Sequence, residues 1–355
     1  ARSTRENPDA QPRHRTVDAM PSLPSERPRL TAIQRFAVKG LSSDRLTWAQ
    51  LHERGGLEND RRFAFVLRRS AHLLKENEWL HKENFVSVFA TPSATADIVS
   101  SFDDGTSKLT VWRRGRRGVE PPLLEAALDS AEGQEAAAGY FSEACGERVE
   151  FVDGAETHQF GNTSKGVKAS GDLRTLHIVN ANTVRAVADA AGVPIDPRRF
   201  RPNLIIDGVP AWAEFDWVGK DVRFGPKAEL RVIARTVRCS GISRASEADG
   251  NGDASADEGG DLDVSALLTK HFPQHGPYLG VYAQCNRAGG IRVGDGLLVA
   301  PPRSKQWALA ARSMLERAGV PGHLMACRDP SVGLLGLGFL ALVAAAHLWG
   351  WWKGW

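Results

Sequence analysis

The stretch from Asp196 to Cys239 limits what this chain can fold into more than any other. It opens with DPRRFRPNLIIDG, where Arg198, Arg199 and Arg201 surround Phe200 and the apolar run Leu204, Ile205, Ile206 stops at the turn signal Asp207-Gly208. It closes with ELRVIARTVRC, in which Leu230, Val232, Ala234 and Thr236 alternate with Arg231, Ile233, Arg235 and Val237. Alternation of this kind predicts a strand with one face toward a core. That strand delivers Arg238 and Cys239 at its end. A cysteine beside a guanidinium is expected to exist partly as thiolate, which is a metal ligand or a nucleophile.

Around this stretch stand Phe200-Arg201-Pro202-Asn203, the segment WAEFDWVG from Trp212 to Gly219, Arg238-Cys239, Leu279-Gly280-Val281-Tyr282, and Gly290-Ile291-Arg292-Val293-Gly294-Asp295. Five such pieces in this order resemble the MOSC family, the molybdenum-cofactor sulfurase C-terminal domain. Upstream, Lys39 in a first strand and Gly56-Leu57 followed by Asp60-Arg61 look like the N-terminal module that precedes MOSC domains in the amidoxime-reducing component group. The family usually has a small hydroxyl residue after the lysine, where this chain has Gly40.

The resemblance implies a mainly β fold with some α: an N-terminal MOSC-type β-barrel module over 29–153 and a MOSC β-barrel over 162–302. It implies a molybdenum cofactor (molybdopterin) with Cys239 as catalytic residue and metal ligand. The cofactor-binding residues would be Lys39, Arg61, Thr183, Arg201, Asn203 and Arg238. A pterin phosphate calls for cationic donors, and the planar guanidinium fork suits it. Thr183 fits a helix cap as well as a cofactor contact. The activity implied is an oxidoreductase that reduces N-hydroxylated compounds with electrons from an external donor, such as cytochrome b5 and its reductase. Two alternatives stay open: a non-catalytic cofactor carrier, or an accessory structural subunit of an organellar membrane complex with a degenerate MOSC site. Gly40 and the insertion after Cys239 favour the last.

Composition sets the remaining bounds. A net charge of +3 over 355 residues, with no basic-aromatic cluster, gives no reason to expect nucleic acid. The four cysteines, Cys145, Cys239, Cys285 and Cys327, are too far apart for a zinc ribbon or an iron-sulfur cluster. Residues 1–28, rich in Pro, Arg and Ser, read as a disordered leader. Seven acids among Gly, Ala and Ser fill the insertion 246–263, which reads as a solvated loop and does not meet EF-hand spacing. Helices are expected over Leu123 to Cys145, closed by Gly146, and from Asn182-Thr183 to Ala191. Strands are expected at Asn84 to Phe89, Lys108 to Arg113 and Thr175 to Val179.

The C-terminal segments point to a membrane. Residues 303–318 form an amphipathic pattern, and 332–352 are uncharged and long enough to span a hydrocarbon core. Trp349, Trp351, Trp352 and Trp355 follow as an interfacial belt would. The expectation is a single-pass C-terminal transmembrane anchor in a mitochondrial or chloroplast membrane, with the domains on the cytosol, matrix or stroma side.

Overall fold

The computed structural model describes residues 27–53, 55–75, 80–154, 160, 174–238 and 262–300. The first half of these contains strands β1 (Arg29–Arg35), β2 (Asp44–Leu46), β3 (Trp48–His52), β4 (Gly56–Leu57) and β5 (Phe63–Leu67), then the short helix α1 (Pro92–Thr95). Strands β6 (Ile98–Asp103), β7 (Lys108–Arg113) and β8 (Leu124–Ala127) follow, then helix α2 (Ala131–Cys145) and strand β9 (Val149–Asp153). The second half contains β10 (Thr175–Asn180), helix α3 (Ala181–Ala191), β11 (Leu204–Asp207), β12 (Asp221–Phe224) and β13 (Ala228–Val237). Helix α4 (Val264–His271) and strands β14 (Tyr278–Arg287), β15 (Gly289–Arg292) and β16 (Leu297–Val299) complete it.

Eight strands form one sheet in the order β16-β12-β13-β14-β10-β11-β1-β2. Its neighbours are antiparallel except β10 and β11, which run parallel and are joined through α3. The alternation read in β13 is the burial observed: Ala228, Leu230 and Val232 are fully buried while Glu229, Arg231 and Ile233 are half-buried. Its apolar face joins Leu30, Ile33, Ile178, Leu204 and Val281 in the main core, which β15-β3-β4 covers with Leu51, Leu57 and Ile291. On the other face, Val184 and Val187 of α3 pack with Val264 and Leu268 of α4 against Val179, Phe200 and Leu279. A third core, built from β5, β6, β7, β8, β9 and α2, centres on Phe63, Phe65, Phe102 and Phe141.

Strands of the expected first segment are built into the sheets of the second. β1 pairs with β11, and β3 pairs with β15.

The expected pair of β-barrels is corrected to a mixed α/β fold with an open sheet. Closure would need the edge strands β16 and β2 to pair, and they stand at opposite ends of the eight-stranded order with no ladder between them among the described residues. Against the expectation of a single-pass organelle-membrane protein, no helix among the described residues is long and apolar enough to cross a membrane. The segments 303–318 and 332–352, the leader up to residue 26 and most of the acidic insertion lie outside the described residues.

Local signals explain the helix boundaries. The helix expected from Leu123 begins only at Ala131, because Leu124–Ala127 pairs with β7 as β8 and Ser130 caps the helix by accepting the Gly133 N–H at 3.1 Å. Its C-terminus is where Gly146 predicts it, in the left-handed conformation with its N–H on Glu143 and Ser142 carbonyls. Asn84 to Phe89 is not a strand: Lys82–Asn84 is a turn of 3-10 helix, and Phe85 makes a single bridge to Val66.

Helix α2 sits so close to β8 that a Cβ at Gly133 would lie 2.0 Å from the Ala127 carbonyl oxygen. Intrinsic helix propensity favours alanine over glycine by about 1 kcal/mol, whereas forcing atoms into a packed interface costs about 1–3 kcal/mol. Gly133→Ala is therefore expected to lower stability in urea denaturation, and a stabilised variant would contradict this helix-to-strand distance.

Candidate functional site

The residues singled out by sequence meet, in part, where β1 ends beside β11 and β10. Asn203, just before β11, is fully buried and binds three parts of the chain. Its Oδ1 accepts the His177 N–H at 3.1 Å and faces Arg61 Nη1 at 3.4 Å, while its Nδ2 donates to the Gln34 carbonyl at 3.2 Å. Its backbone N–H donates to the His177 carbonyl at 2.8 Å and its carbonyl accepts the Gln34 N–H at 2.7 Å.

Two arginines lie over one aromatic ring. The Arg61 and Arg201 guanidinium carbons stand 4.4 Å and 4.3 Å from the centroid of Phe36, a ring that is itself buried. Arg61 is paired with Asp60, and the same carboxylate accepts the Phe36 N–H at 2.8 Å. Arg201 donates to the Leu41 carbonyl at 2.7 Å. Both arginines have positive φ, 49° and 51°, a conformation costly for residues other than glycine. The backbone accepts that strain to turn both side chains toward Phe36.

Arg238 leaves β13 toward the same region. It donates to the Phe200 carbonyl at 3.1 Å, and its backbone N–H bonds to the Pro277 carbonyl. Between these cations lies His177, fully buried, with its ring 5.6 Å from that of Tyr282. Burial pushes the His177 pKa well below the ordinary imidazole value, and the Arg238 and Arg61 charges push it further, against weaker effects from the Leu279 and Arg201 backbone. His177 is therefore neutral at pH 7. Gly280 lets it fit: with φ +75°, a Cβ there would lie 2.6 Å from His177 Nε2.

The other expected site residues turn elsewhere. Lys39 Nζ donates to the Phe160 carbonyl at 3.2 Å and lies 5.0 Å from the Phe85 ring centroid. Thr183 is fully buried on α3, donating to Glu214 at 2.8 Å and accepting the Trp212 N–H at 2.8 Å. The helix cap is Asn180, not Thr183. Burial raises the Glu214 pKa despite hydrogen bonds from Asn180 and Thr183 that lower it. Cys239 lies outside the described residues. Phe36 and His177 were not singled out by sequence, and Asp60 was read only as part of the Asp60-Arg61 motif. The adjacency of Asp60 to Arg61 was the only hint that this arginine has a carboxylate of its own.

Comparison with known proteins finds a MOSC domain over residues 165–297. The chain thus contains a MOSC-domain region. Among solved structures it is similar to the YuaD protein of Bacillus subtilis, at 11% identity and a TM-score of 0.33, over 77% of this chain and 96% of that one. It is also similar to YiiM from Geobacillus stearothermophilus, at 18% identity and a TM-score of 0.25, over 36% of this chain and 54% of the other. Both likenesses are distant. A search of curated proteins finds no match.

The expected molybdenum cofactor does not fit the residues in place, and with it the reading as an amidoxime-type molybdenum reductase is corrected. The described residues contain no group of three or more His, Cys, Asp or Glu side chains able to hold a metal ion. Their cysteines are poor thiolates: burial pushes the Cys285 thiol up to about 11 and raises that of Cys145. Arg61, Arg201 and Arg238, expected to receive the pterin phosphate, are bonded to Asp60, Leu41 and Phe200 of the protein itself.

Two predictions follow from this geometry. Removing the Asn203 amide leaves buried backbone groups of Gln34 and His177 without their partner, at about 1–3 kcal/mol each, so Asn203→Ala should lower stability by several kcal/mol in chemical denaturation. Glu214 has a folded pKa above its unfolded value, so its contribution is complete below the ordinary glutamate range and is lost as pH rises toward the folded value. Glu214→Gln should therefore gain in melting temperature over the parent as pH rises above the ordinary glutamate range. A constant difference across that range would contradict a buried, proton-binding carboxyl.

Proposed function

We propose that this chain is a non-catalytic accessory subunit of a larger protein assembly, built on a MOSC-type sheet whose ligand site has become structural. The observation that carries this reading is the fate of Arg61 and Arg201. Their guanidiniums are lodged over the Phe36 ring and bonded to Asp60, Asn203 and the Leu41 carbonyl. An anionic ligand would have to compete with those bonds, including a buried ion pair whose disruption costs about 3–5 kcal/mol. The motif order from Lys39 through Asp295 supports descent from the amidoxime-reducing component group, with the cationic residues kept for the fold.

Two measurements test the reading. Arg61→Gln leaves Asp60 buried without its cation, and a stability loss of about 3 kcal/mol or more is expected. A loss well below that would contradict a structural role for the Asp60–Arg61 pair. Separately, full-length chain purified from its native source under mild conditions should travel in a salt-resistant complex at fixed stoichiometry. A monomer with no constant partner would overturn the accessory-subunit reading.

A further inference from the structure

The connection from β7 to β8, residues 114–123, is held in a fixed shape by its own backbone. The Arg116 N–H donates to the Arg113 carbonyl at 3.0 Å, and the Val119 and Glu120 N–H groups donate to the Arg116 carbonyl at 3.0 Å and 2.9 Å. The Leu123 N–H then returns to the Val111 carbonyl at 2.8 Å. Gly115 and Gly118 take positive φ, 69° and 77°, and a Cβ at either would meet nothing within 4 Å, so the turn itself calls for glycine. Pro121 and Pro122 stiffen the return to β8.

An ordered surface loop normally turns polar side chains to water, and the tip of this one turns an apolar side chain. Val119 is 76% exposed, the most of any large hydrophobic residue among the described residues, and Leu123 at the foot of the loop is exposed as well. Single exposed aliphatics are common, but this one is presented on a preformed turn and ringed by cations.

Residues 112–123 hold four arginines and one acid, Glu120. The Glu120 carboxylate lies 4.0 Å from Arg113 Nε and 3.5 Å from Arg116 Nε, so both guanidiniums are drawn to one point next to Val119 and share one negative charge. A positive surplus remains there. The other two arginines are not part of it. Arg114 turns inward to the Ala96 carbonyl at 2.9 Å, and Arg117 lies 4.4 Å from the centroid of the Trp112 ring, on a cavity that Asp103 and Asp104 also line.

We propose that the tip of this loop is a protein-docking surface, in which Val119 enters an apolar recess of a partner subunit and Arg113 and Arg116 meet carboxylates at the rim of that recess. The proposal rests on the accessory-subunit reading and names the surface it would use. An apolar centre with a charged rim is the usual build of a protein interface, and a turn already fixed by its own hydrogen bonds loses little freedom on docking. Charge complementarity selects an acidic rim. Nucleic acid is disfavoured, because a phosphate chain calls for a run of outward cations and gains nothing from Val119.

Photo-crosslinking in the native source tests it, using the full chain with Pro121→p-benzoylphenylalanine, an exposed position beside the tip. Leu298→p-benzoylphenylalanine, exposed on β16, serves as the comparison. The expected result is an adduct from position 121 to one constant partner, on a peptide that carries Asp or Glu beside apolar residues, with a yield about tenfold or more above that from position 298. Adding Arg116→Glu and Val119→Asp is expected to lower the adduct about tenfold or more, with the melting temperature unchanged because both side chains lie at the surface. An intact complex with no adduct from position 121, equal yields from the two positions, an adduct to lipid or nucleic acid, or a yield that survives the two substitutions would each overturn the docking surface and leave the accessory-subunit reading standing. A parent chain that travels with no constant partner would overturn both.

Discussion

The amide of Asn203 is the contact on which the rest of the arrangement depends. It sits where three chain directions converge: the end of β1 at Gln34, the middle of β10 at His177, and the turn that carries Arg61. A fully buried amide is tolerated only if its donors and acceptors are met, and both its ends are engaged. Because β1 belongs to the N-terminal part of the chain and β10 to the MOSC region, one side chain fixes the register between them. The bulge in the β1-β11 ladder between Leu30 and Ala32 then sets the phase that leaves Leu30 and Ile33 both facing the main core.

Around that amide the backbone tolerates conformations that cost energy in isolation. Positive φ at Arg61 and Arg201 costs on the order of 1–3 kcal/mol each. Ring contacts with Phe36 return about 1–2 kcal/mol apiece when desolvated, and the bonds to Asp60 and to the Leu41 carbonyl add to that. The balance closes only while the guanidiniums stay where they are. Guanidiniums held in this way by Asp60 and the Leu41 carbonyl are less available to an added ligand, while both buried ring nitrogens of the adjoining His177 find no hydrogen-bond partner among the described residues. His177 fits that view: burial and two neighbouring arginines keep it neutral, so it fills space beside Gly280 and Tyr282 without adding charge.

Much of the fold was legible in the sequence. Alternation located β13, strands were expected where β7 and β10 stand, and the glycines at 146 and 192 located two helix ends. Misreadings came where tertiary pairing overrode local pattern. Leu124–Ala127 has good helix formers, yet β7 recruits it as a strand. Asn84 to Phe89, rich in β-branched and aromatic residues, finds only a single bridge at Phe85 among the described residues. Barrel closure is a property of edge strands, which no single segment encodes, so the resemblance supplied it and the sheet corrected it. The site residues were legible as types and not as partners: Asn203, Arg61 and Arg201 do converge, while Thr183 is taken by Glu214, a contact 31 positions away in sequence.

The chain therefore shows arginine in two electrostatic states that sequence alone cannot separate. Arg61 and Arg35 are buried and paired with carboxylates, so their charge is spent within the fold, although the buried Arg35 Nε finds no acceptor among the described residues. Arg45 stands at the exposed position of β2 and the Arg117 guanidinium lies 4.4 Å from the centroid of the Trp112 ring, and among the described residues no ion pair holds either. What distinguishes the two is the inventory of acceptors within reach, not the cation itself. Asp44 illustrates this. It accepts from Ser101, Phe102 and Arg35 together, and its ion pair is with the buried Arg35 and not with its chain neighbour Arg45.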